Sequence, residues 1–448
     1  MVYVIGFNDR NRDVCGPQSR WCREGALSAW ENMQQAAERH YDRSGDCSFT
    51  TFHGYEYSNS AGRSKIHRNI IYRNERVPEL PVSSLEEPDP FDLWERMDAL
   101  CAGQDGDCEA ISIPHNPNVS NGRTFRIPWR NEPLEEQRRL AELRLRYEPI
   151  VEMMQVKGES ECKSGMWQVF GEDELCDFEK IRGLGERRPE DCKDDYSRGA
   201  IFGRGCESRL DFARYALAEG MAEEARIGVN PYRFGFVGST DSHNATPGDV
   251  DEDNYDGCCA NTDNDAQARL NATPDFAGAP AAMRNPGGLM GVWAEENTRD
   301  ALFDAMQRRE VFATSGPRIE PRFFAGSDIP EDACSDALVA AGDAGGVPMG
   351  GVLDARLNET PVFAVAASAD PRGGVLQRLQ VVKVWHDGDG GIHQSVVDVA
   401  GSADNGAAVD LGDCSVSGPG HGQLCATWRD PAFNPDQPAA YYLRAVEN

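Results

Sequence analysis

Residues 234–244 read Phe-Gly-Phe-Val-Gly-Ser-Thr-Asp-Ser-His-Asn. The run begins with apolar residues and glycines, which predict a short buried strand over 234–238. Asp241 and His243 follow it two residues apart, so their side chains point the same way if the backbone stays extended. A carboxylate and an imidazole on one side of a chain are common ligands of zinc, manganese or iron. Such a pair often arises by chance, so its interpretation depends on the rest of the chain.

Strands and helices alternate around this run. Apolar, aromatic and β-branched stretches predict strands, and a 3.6-residue periodicity predicts helices. The strands are expected at 48–57, 66–72, 109–114 and 149–156, and the helices at 26–40, 92–101, 132–146 and 208–225. Further on, Thr298 is expected to cap a helix that runs to about residue 309. The alternation predicts an α/β fold with parallel βαβ units.

The composition changes near residue 325, where glycine, alanine and aspartate become common and the helical periodicity fades. Strand-like runs at 361–366, 379–385 and 440–445 are separated by turn residues. We therefore predict two domains, an α/β domain over 1–325 and a smaller β-rich domain over 326–448.

Three more candidate metal ligands lie beside the ends of predicted strands. Glu56 closes one strand, His67 opens the next, and His115 follows the strand at 109–114. Taken singly, each has an ordinary alternative, namely a surface carboxylate, an edge histidine or a loop histidine. In α/β folds, however, the ends of successive strands meet at one rim, where ligands from distant parts of a chain converge.

The charge of the chain excludes one class of partner. There are 74 acidic and 45 basic residues, with a net charge of −29. Binding to nucleic acid requires a basic face, so we expect no nucleic-acid partner. No apolar run is long enough to cross a bilayer, and we expect no membrane insertion. A small molecule or a phosphate ester held by a few basic residues is the expected substrate, and the oligomeric state is left open.

The 14 cysteines favour disulfides and an oxidising compartment, either periplasmic or secreted. Several follow one another at short intervals, and the sequence contains no Cys-x-x-Cys motif that would indicate zinc. The pairing is not fixed by the sequence, although the adjacent Cys258 and Cys259 are expected to bond to separate partners. The first residues do not form a signal peptide, so we expect a chain that has lost its N-terminus and its export signal.

Residues from about 40 to 325 resemble the DUF3604 family, bacterial proteins related to the PHP-type metal-dependent phosphoesterases. The runs that carry the resemblance are 49–57, 67–73, 113–117, 151–161, 238–244 and 309–318. The resemblance implies a distorted βα barrel that binds two or more ions of zinc, manganese or iron. It implies that Glu56, able to bridge two metals, His115, Asp241 and His243 are ligands, with His67 at a position where many PHP proteins carry a histidine.

The chain also departs from the PHP pattern. PHP proteins begin with a strand that carries His-x-His, and no such motif occurs in residues 1–50. We therefore expect a barrel that lacks its first strands, and a chain that also stops short at its C-terminus. An inactive fragment of an active parent is an alternative, because metal affinity depends on the number of ligands.

Several charged residues receive roles if the site hydrolyses a phosphate ester with metal-activated water. Arg68 and Lys157 are expected to neutralise the phosphate, and surface ion pairs are the alternative for these two residues. Glu152 and Glu159 are candidates for outer metal ligands or a general base, and we place Glu152 among the ligands and Glu159 among the catalytic residues. A second reading of the whole chain is a secreted binding or structural protein without enzyme activity, which holds calcium in the acidic loop at 249–256.

Overall fold

The protein is described from a computed structural model, which covers residues 12–101, 108–182, 189–193, 195–251, 255, 257–259, 265–271, 284–334, 337–353, 360–413 and 415–448. Its α-helices are α1 (Arg12–Cys15), α2 (Arg20–His40), α3 (Pro90–Cys101), α4 (Leu134–Tyr147), α5 (Ala213–Ile227), α6 (Ala266–Asn271), α7 (Arg299–Arg308) and α8 (Leu338–Gly345). The first strands are β1 (His53–Tyr57), β2 (Arg68–Tyr72), β3 (Ala110–Pro114), β4 (Ile150–Gln155), β5 (Gly158–Glu159), β6 (Val169–Phe170), β7 (Gly235–Gly238), β8 (Leu289–Val292) and β9 (Val311–Thr314). The later strands are β10 (Glu320–Gly326), β11 (Val347–Pro348), β12 (Val362–Ser368), β13 (Leu376–His386), β14 (Ile392–Gly401), β15 (Ala408–Val409), β16 (Val416–Ser417), β17 (Gln423–Trp428) and β18 (Ala439–Glu447).

The first sheet is antiparallel, with β2 between β1 and β3. Glu56 pairs with Asn69, and Arg68 pairs with Pro114. In this arrangement the end of β1, the start of β2 and the end of β3 lie side by side at one end of the sheet, which we call its edge below. Helices α2 and α3 cover one face, where Trp30 and Trp94 pack into a buried cluster. This core fixes the edge from which Glu56, His67 and His115 emerge.

The second sheet is partly parallel and lies between helices. Strand β4 pairs with β7 in parallel and with β5 in antiparallel orientation, while β8 and β9, which are joined through α7, form a separate antiparallel pair beside β7. Ile150 of β4 packs with Phe303 of α7, whereas the next residue, Val151, packs with Ala213 of α5. Consecutive residues of a strand face opposite sides of the sheet, so α5 and α7 cover its two faces.

The C-terminal part consists of two antiparallel sheets packed face to face. One has the order β11-β10-β12-β17 and the other contains β18-β13-β14, with β6 added in parallel at its edge. Phe323, Phe363, Val381 and Leu443 belong to the core between them. Strand β10 belongs to this sandwich and crosses residue 325, where the domain boundary is predicted. Helix α5 packs against β13, so the sandwich rests on the α/β part.

The mixed α/β class is confirmed, but the predicted barrel is not. The described strands form several small sheets, and these do not close into a barrel. Parallel pairing of the βαβ kind joins β4 to β7, while the strands of the first sheet alternate in direction. A helix between two strands therefore did not guarantee that they are parallel, since β2 and β3 are antiparallel despite α3.

Disulfides join six pairs of described cysteines: 15–22, 101–108, 162–176, 192–206, 258–259 and 334–425. The expectation that Cys258 and Cys259 take separate partners is wrong, because the two are bonded to each other. Cys414 lies outside the described residues. These bonds are consistent with the predicted oxidising compartment. In the part of the chain that the structure describes, no helix combines the length and the apolar character needed to cross a membrane.

Candidate metal centre

Three of the predicted ligands meet at the shared edge of the first sheet. Glu56 is near the end of β1, His67 directly precedes β2 and His115 directly follows β3. The His115 backbone N–H donates to the His67 carbonyl at 3.1 Å, which extends the pairing of β2 and β3 to the two histidines. The ligand atoms of Glu56, His67 and His115 lie within 4.8 Å of one another.

Asp241 and His243 approach the same carboxylate from the second sheet. Their ligand atoms and that of Glu56 also lie within 4.8 Å of one another, so Glu56 belongs to both groups. The chain does not stay extended, because Asp241 has a φ of 53° in the left-handed region. Asp241 and His243 therefore do converge, but a turn at Asp241, and not an extended backbone, brings them together. The His243 N–H donates to the carbonyl of Cys258 at 2.6 Å, which ties this turn to the adjacent disulfide.

Glu56 and His67 are held together by hydrogen bonds. The His67 Nδ1 lies 2.6 Å from Glu56 Oε1, and its Nε2 lies 2.9 Å from the Ser60 hydroxyl. Burial would raise the pKa of Glu56, but the hydrogen bond to His67 and the potential of His115 outweigh it and lower that pKa. Burial lowers the pKa of His67 to about 4. At neutral pH the pair is thus a carboxylate beside a neutral imidazole, the forms that bind metals.

His115 is buried, with 3% of its surface exposed, and neither of its ring nitrogens has a hydrogen-bond partner among the residues that the structure describes. The carboxylate oxygen Oδ1 of Asp241 lies 3.8 Å from Nδ1 of His115, which is beyond hydrogen-bond distance. Leaving a buried polar group without a partner costs about 1–3 kcal/mol. A cation between His115 and Asp241 would satisfy both side chains, so the residues present fit a metal ion.

Two buried lysines contact Asp241. The Lys65 ammonium donates to Asp241 Oδ2 at 2.8 Å and to Gln155 Oε1 at 3.2 Å, and the Lys157 ammonium donates to the same Asp241 oxygen. Burial would raise the pKa of Asp241, but Lys157 and Lys65 hold it well below its usual range. Burial lowers the pKa of Lys157 to about 8. Lys157 is among the residues predicted from the sequence, whereas Lys65 is not. The signal was its position two residues before His67, on the same side of an extended segment.

Comparison with known proteins identifies the family. Residues 8–448 match the profile of the family described as "Protein of unknown function (DUF3604)". The chain belongs to the DUF3604 family. No curated protein and no solved structure matches this DUF3604 chain.

Glu152 lies beside the cluster in the DUF3604 chain but does not belong to either of the two groups of ligand atoms that contain Glu56. One carboxylate oxygen accepts from the Asn116 N–H at 2.7 Å and from the Gln155 side chain at 2.6 Å, and the other accepts from the Ser239 hydroxyl. Asn116 follows His115, and Ser239 follows β7. Glu152 thus joins the loop that carries His115 to the loop that carries Asp241, and we assign it a positioning role.

Glu159 and Arg68 lie elsewhere. Glu159 accepts from the Lys180 ammonium and groups with Glu161 and Cys162 rather than with Glu56. Burial raises its pKa to about 7 despite Lys180. The sulfur of Cys162 is bonded to Cys176, which removes it as a metal ligand. Arg68 is buried on the other face of β2, where its guanidinium donates to Glu148 at 2.6 Å. The structure therefore does not bring the predicted catalytic Glu159 and Arg68 to the cluster.

Two other regions of the DUF3604 chain bear on ligand binding. A cavity of about 1080 Å³ lies between the α/β part and the sandwich, lined by residues such as Phe236, Phe312 and Phe363, and none of the ligand candidates lines it. The acidic loop at 249–256, where calcium was predicted, falls partly outside the described residues. That prediction stays untested.

Proposed function

We propose that this chain is a metal-dependent hydrolase related to the PHP-type phosphoesterases, and that it acts on a phosphate ester. The observation that supports the proposal is the convergence of Glu56, His67, His115, Asp241 and His243. Within the described part of the chain, both ring nitrogens of buried His115 lack a hydrogen-bond partner. A histidine that only stabilised the fold would be expected to form hydrogen bonds through its ring nitrogens. The position of His115 is that of a ligand prepared for a cation.

The donor set indicates the class of metal. Imidazole and carboxylate together suit zinc, manganese or iron, whereas calcium and magnesium prefer oxygen ligands alone. Glu56 is shared by both groups, so we propose that its carboxylate serves two ions. We propose that His67 and His115 hold one ion and that His243 holds the other, with Asp241 Oδ1, which faces His115 and groups with His243, able to serve either ion.

A bound divalent cation supplies Lewis acidity and lowers the pKa of water towards neutrality. The residues of the chain supply orientation. Ser60 fixes the His67 ring through Nε2, which would leave Nδ1, beside the Glu56 carboxylate, for a cation. Glu152 ties together the loops of His115 and Asp241. His243 is exposed, so the cluster opens to solvent on the side from which a substrate enters. The disulfides support the further proposal that the enzyme works in the periplasm or outside the cell.

Metal analysis combined with ester assays tests the proposal. The purified chain is analysed for zinc, manganese and iron, and then assayed with phosphomonoester and phosphodiester substrates. We expect stoichiometric metal and metal-dependent hydrolysis in the wild type, and a large loss of both in His243→Ala. His393→Ala is the matched control, because His393 lies in the sandwich and pairs with Asp387. A chain that binds no transition metal, or hydrolysis that persists after complete metal removal, would overturn the proposal.

A further inference from the structure

The two buried lysines of the cluster do more than balance Asp241. Lys65 is 3% exposed and Lys157 is 7% exposed, and both ammonium groups contact the same carboxylate oxygen, Oδ2. The other oxygen, Oδ1, faces His115 at 3.8 Å. The lysines therefore occupy one side of the Asp241 carboxylate, and the imidazole of His115 faces the other.

A cation bound at Oδ1 would change what the lysines contact. Negative charge in the Asp241 carboxylate would be drawn towards the cation, and its attraction for the lysines would weaken. The site contains the carboxylates of Glu56, Glu152 and Asp241 and the ammonium groups of Lys65 and Lys157. Each divalent cation adds two positive charges to this group. With the three carboxylates ionised and both ammonium groups protonated, these side chains sum to −1, so two divalent cations bring the group to +3. In a partly buried site, a ligand with two negative charges reduces that excess further than a ligand with one.

We propose that Lys65 and Lys157 form a binding site for a doubly charged oxyanion, and that the site becomes available when a cation takes the Asp241 carboxylate. This inference rests on the proposed function and specifies its substrate class. A phosphomonoester carries two charges near pH 8, whereas a phosphodiester carries one. The lysine pair therefore selects monoesters over diesters, and it couples binding of the anion to binding of the metal.

Calorimetric titration of the full chain with Mn²⁺ and inorganic phosphate tests the inference. In the wild type, phosphate is expected to bind at least tenfold more tightly when Mn²⁺ is present. In Lys65→Met and in Lys157→Met, phosphate binding to the Mn²⁺-loaded protein is expected to weaken by about tenfold or more, since each change removes charge-assisted hydrogen bonds. Mn²⁺ affinity is expected to stay the same or to rise, because the competing ammonium group is gone. A lysine with a merely structural role would instead lower both affinities together.

Lys163→Met is the matched control, because Lys163 is partly buried and paired with Glu207 away from the cluster. It is expected to change neither affinity. Sulfate and dimethyl phosphate test whether the charge of the anion decides binding. Sulfate, which carries two negative charges, should bind like phosphate, whereas dimethyl phosphate, which carries one, should bind poorly to the wild type and to every variant. If a methionine variant does not fold, the glutamine variant at the same position is judged by the same criteria.

The outcomes separate the two proposals. Phosphate affinity that is unaffected by Mn²⁺ in the wild type, or equal in wild type and lysine variants, overturns the lysine site and leaves the metal hydrolase standing. Coupled binding of Mn²⁺ and phosphate without hydrolysis of any phosphate ester overturns the hydrolase and leaves the lysine site standing. A chain that binds no metal overturns both.

Discussion

Asp241 Oδ1 and His115 Nδ1 lie 3.8 Å apart, although the two residues come from different sheets. The distance is too long for a hydrogen bond, and it is close to the separation of two ligands that share one metal ion. The loops that carry them are fixed by Glu152, which binds the backbone of Asn116 and the hydroxyl of Ser239. The separation is thus set by the surrounding structure and not by attraction between the two side chains.

Replacing His115 with leucine should weaken metal binding and at the same time spare the metal-free fold. We expect metal affinity to fall by about 100-fold, because the change removes a ligand. In the presence of chelator, the free energy of unfolding should stay equal or rise by about 1 kcal/mol, because two buried nitrogens without partners disappear. Metal titration and urea unfolding measure the two effects. His393→Leu should leave metal affinity unchanged, and a His115→Leu chain that is destabilised in chelator would contradict the assignment.

Replacing both Cys258 and Cys259 with serine should loosen the position of His243. The His243 N–H donates to the Cys258 carbonyl at 2.6 Å, and the disulfide between adjacent cysteines constrains that carbonyl. We expect metal affinity to fall by about tenfold, as is typical when a group that orients a ligand is lost. Serine replacement of Cys15 and Cys22, whose disulfide joins the end of α1 to the first turn of α2, serves as the control. Equal affinities in both double variants would show that the adjacent disulfide does not position His243.

The sequence predicts local structure well because its signals are local. The helix expected at 132–146 is Leu134–Tyr147, and Thr298 caps α7 by accepting a hydrogen bond from the Ala301 N–H. The direction of strand pairing depends on contacts between distant segments, and there the prediction of parallel units held for β4 and β7 but not for the first sheet. Pairing of β6 with β14 has no local signal at all.

The residues of the site also divide into those with a local signal in the sequence and those that only contacts between distant segments reveal. Glu56, His115 and Asp241 could be found because few residue types bind metals and strand ends are recognisable in sequence. Lys65 was missed because a lysine in an acidic chain resembles an ordinary surface charge, and only its burial against Asp241 distinguishes it. Arg68 was misjudged for the related reason that its neighbour His67 is in the site. Consecutive residues of an extended chain face opposite sides, so the side chain of Arg68 enters the core instead.

Glu38 should make the stability of the fold depend on pH in the acid range. Its carboxylate binds Arg299 at 2.6 Å and His53 at 2.7 Å, which ties α2 to α7 and β1. Burial opposes ionisation, but hydrogen bonds from Arg299, Arg43 and His53 lower the pKa of Glu38 from 4.5 to about 2. A lowered carboxyl pKa stabilises the fold above the unfolded value, and this contribution disappears as the pH falls through the folded value.

Glu38→Gln should therefore cost on the order of 1 kcal/mol at pH 7, and the difference from wild type should shrink between pH 4.5 and pH 2. Urea midpoints of the two chains across this range measure the difference. Glu24→Gln changes an exposed carboxylate of the same helix, paired with Arg20, and should cost less than about 0.5 kcal/mol. A difference for Glu38→Gln that stays constant down to pH 2 would contradict the proposed linkage.

Replacing Arg68 with methionine should affect folding rather than the reaction. The Arg68 guanidinium is 1% exposed and bonded to Glu148 at 2.6 Å, and Arg144 binds the other oxygen of Glu148 at 2.9 Å. Breaking a buried ion pair costs about 3–5 kcal/mol, and because Arg144 remains we expect the lower end, about 3 kcal/mol. The partly exposed Arg73 follows β2, and Arg73→Met should cost about 1 kcal/mol or less. Urea unfolding measures both costs, and hydrolysis per metal-loaded molecule should equal that of the wild type. If Arg68→Met instead kept its stability and lost hydrolysis, Arg68 would have the phosphate-binding role first inferred from the sequence, and the lysine pair would not suffice.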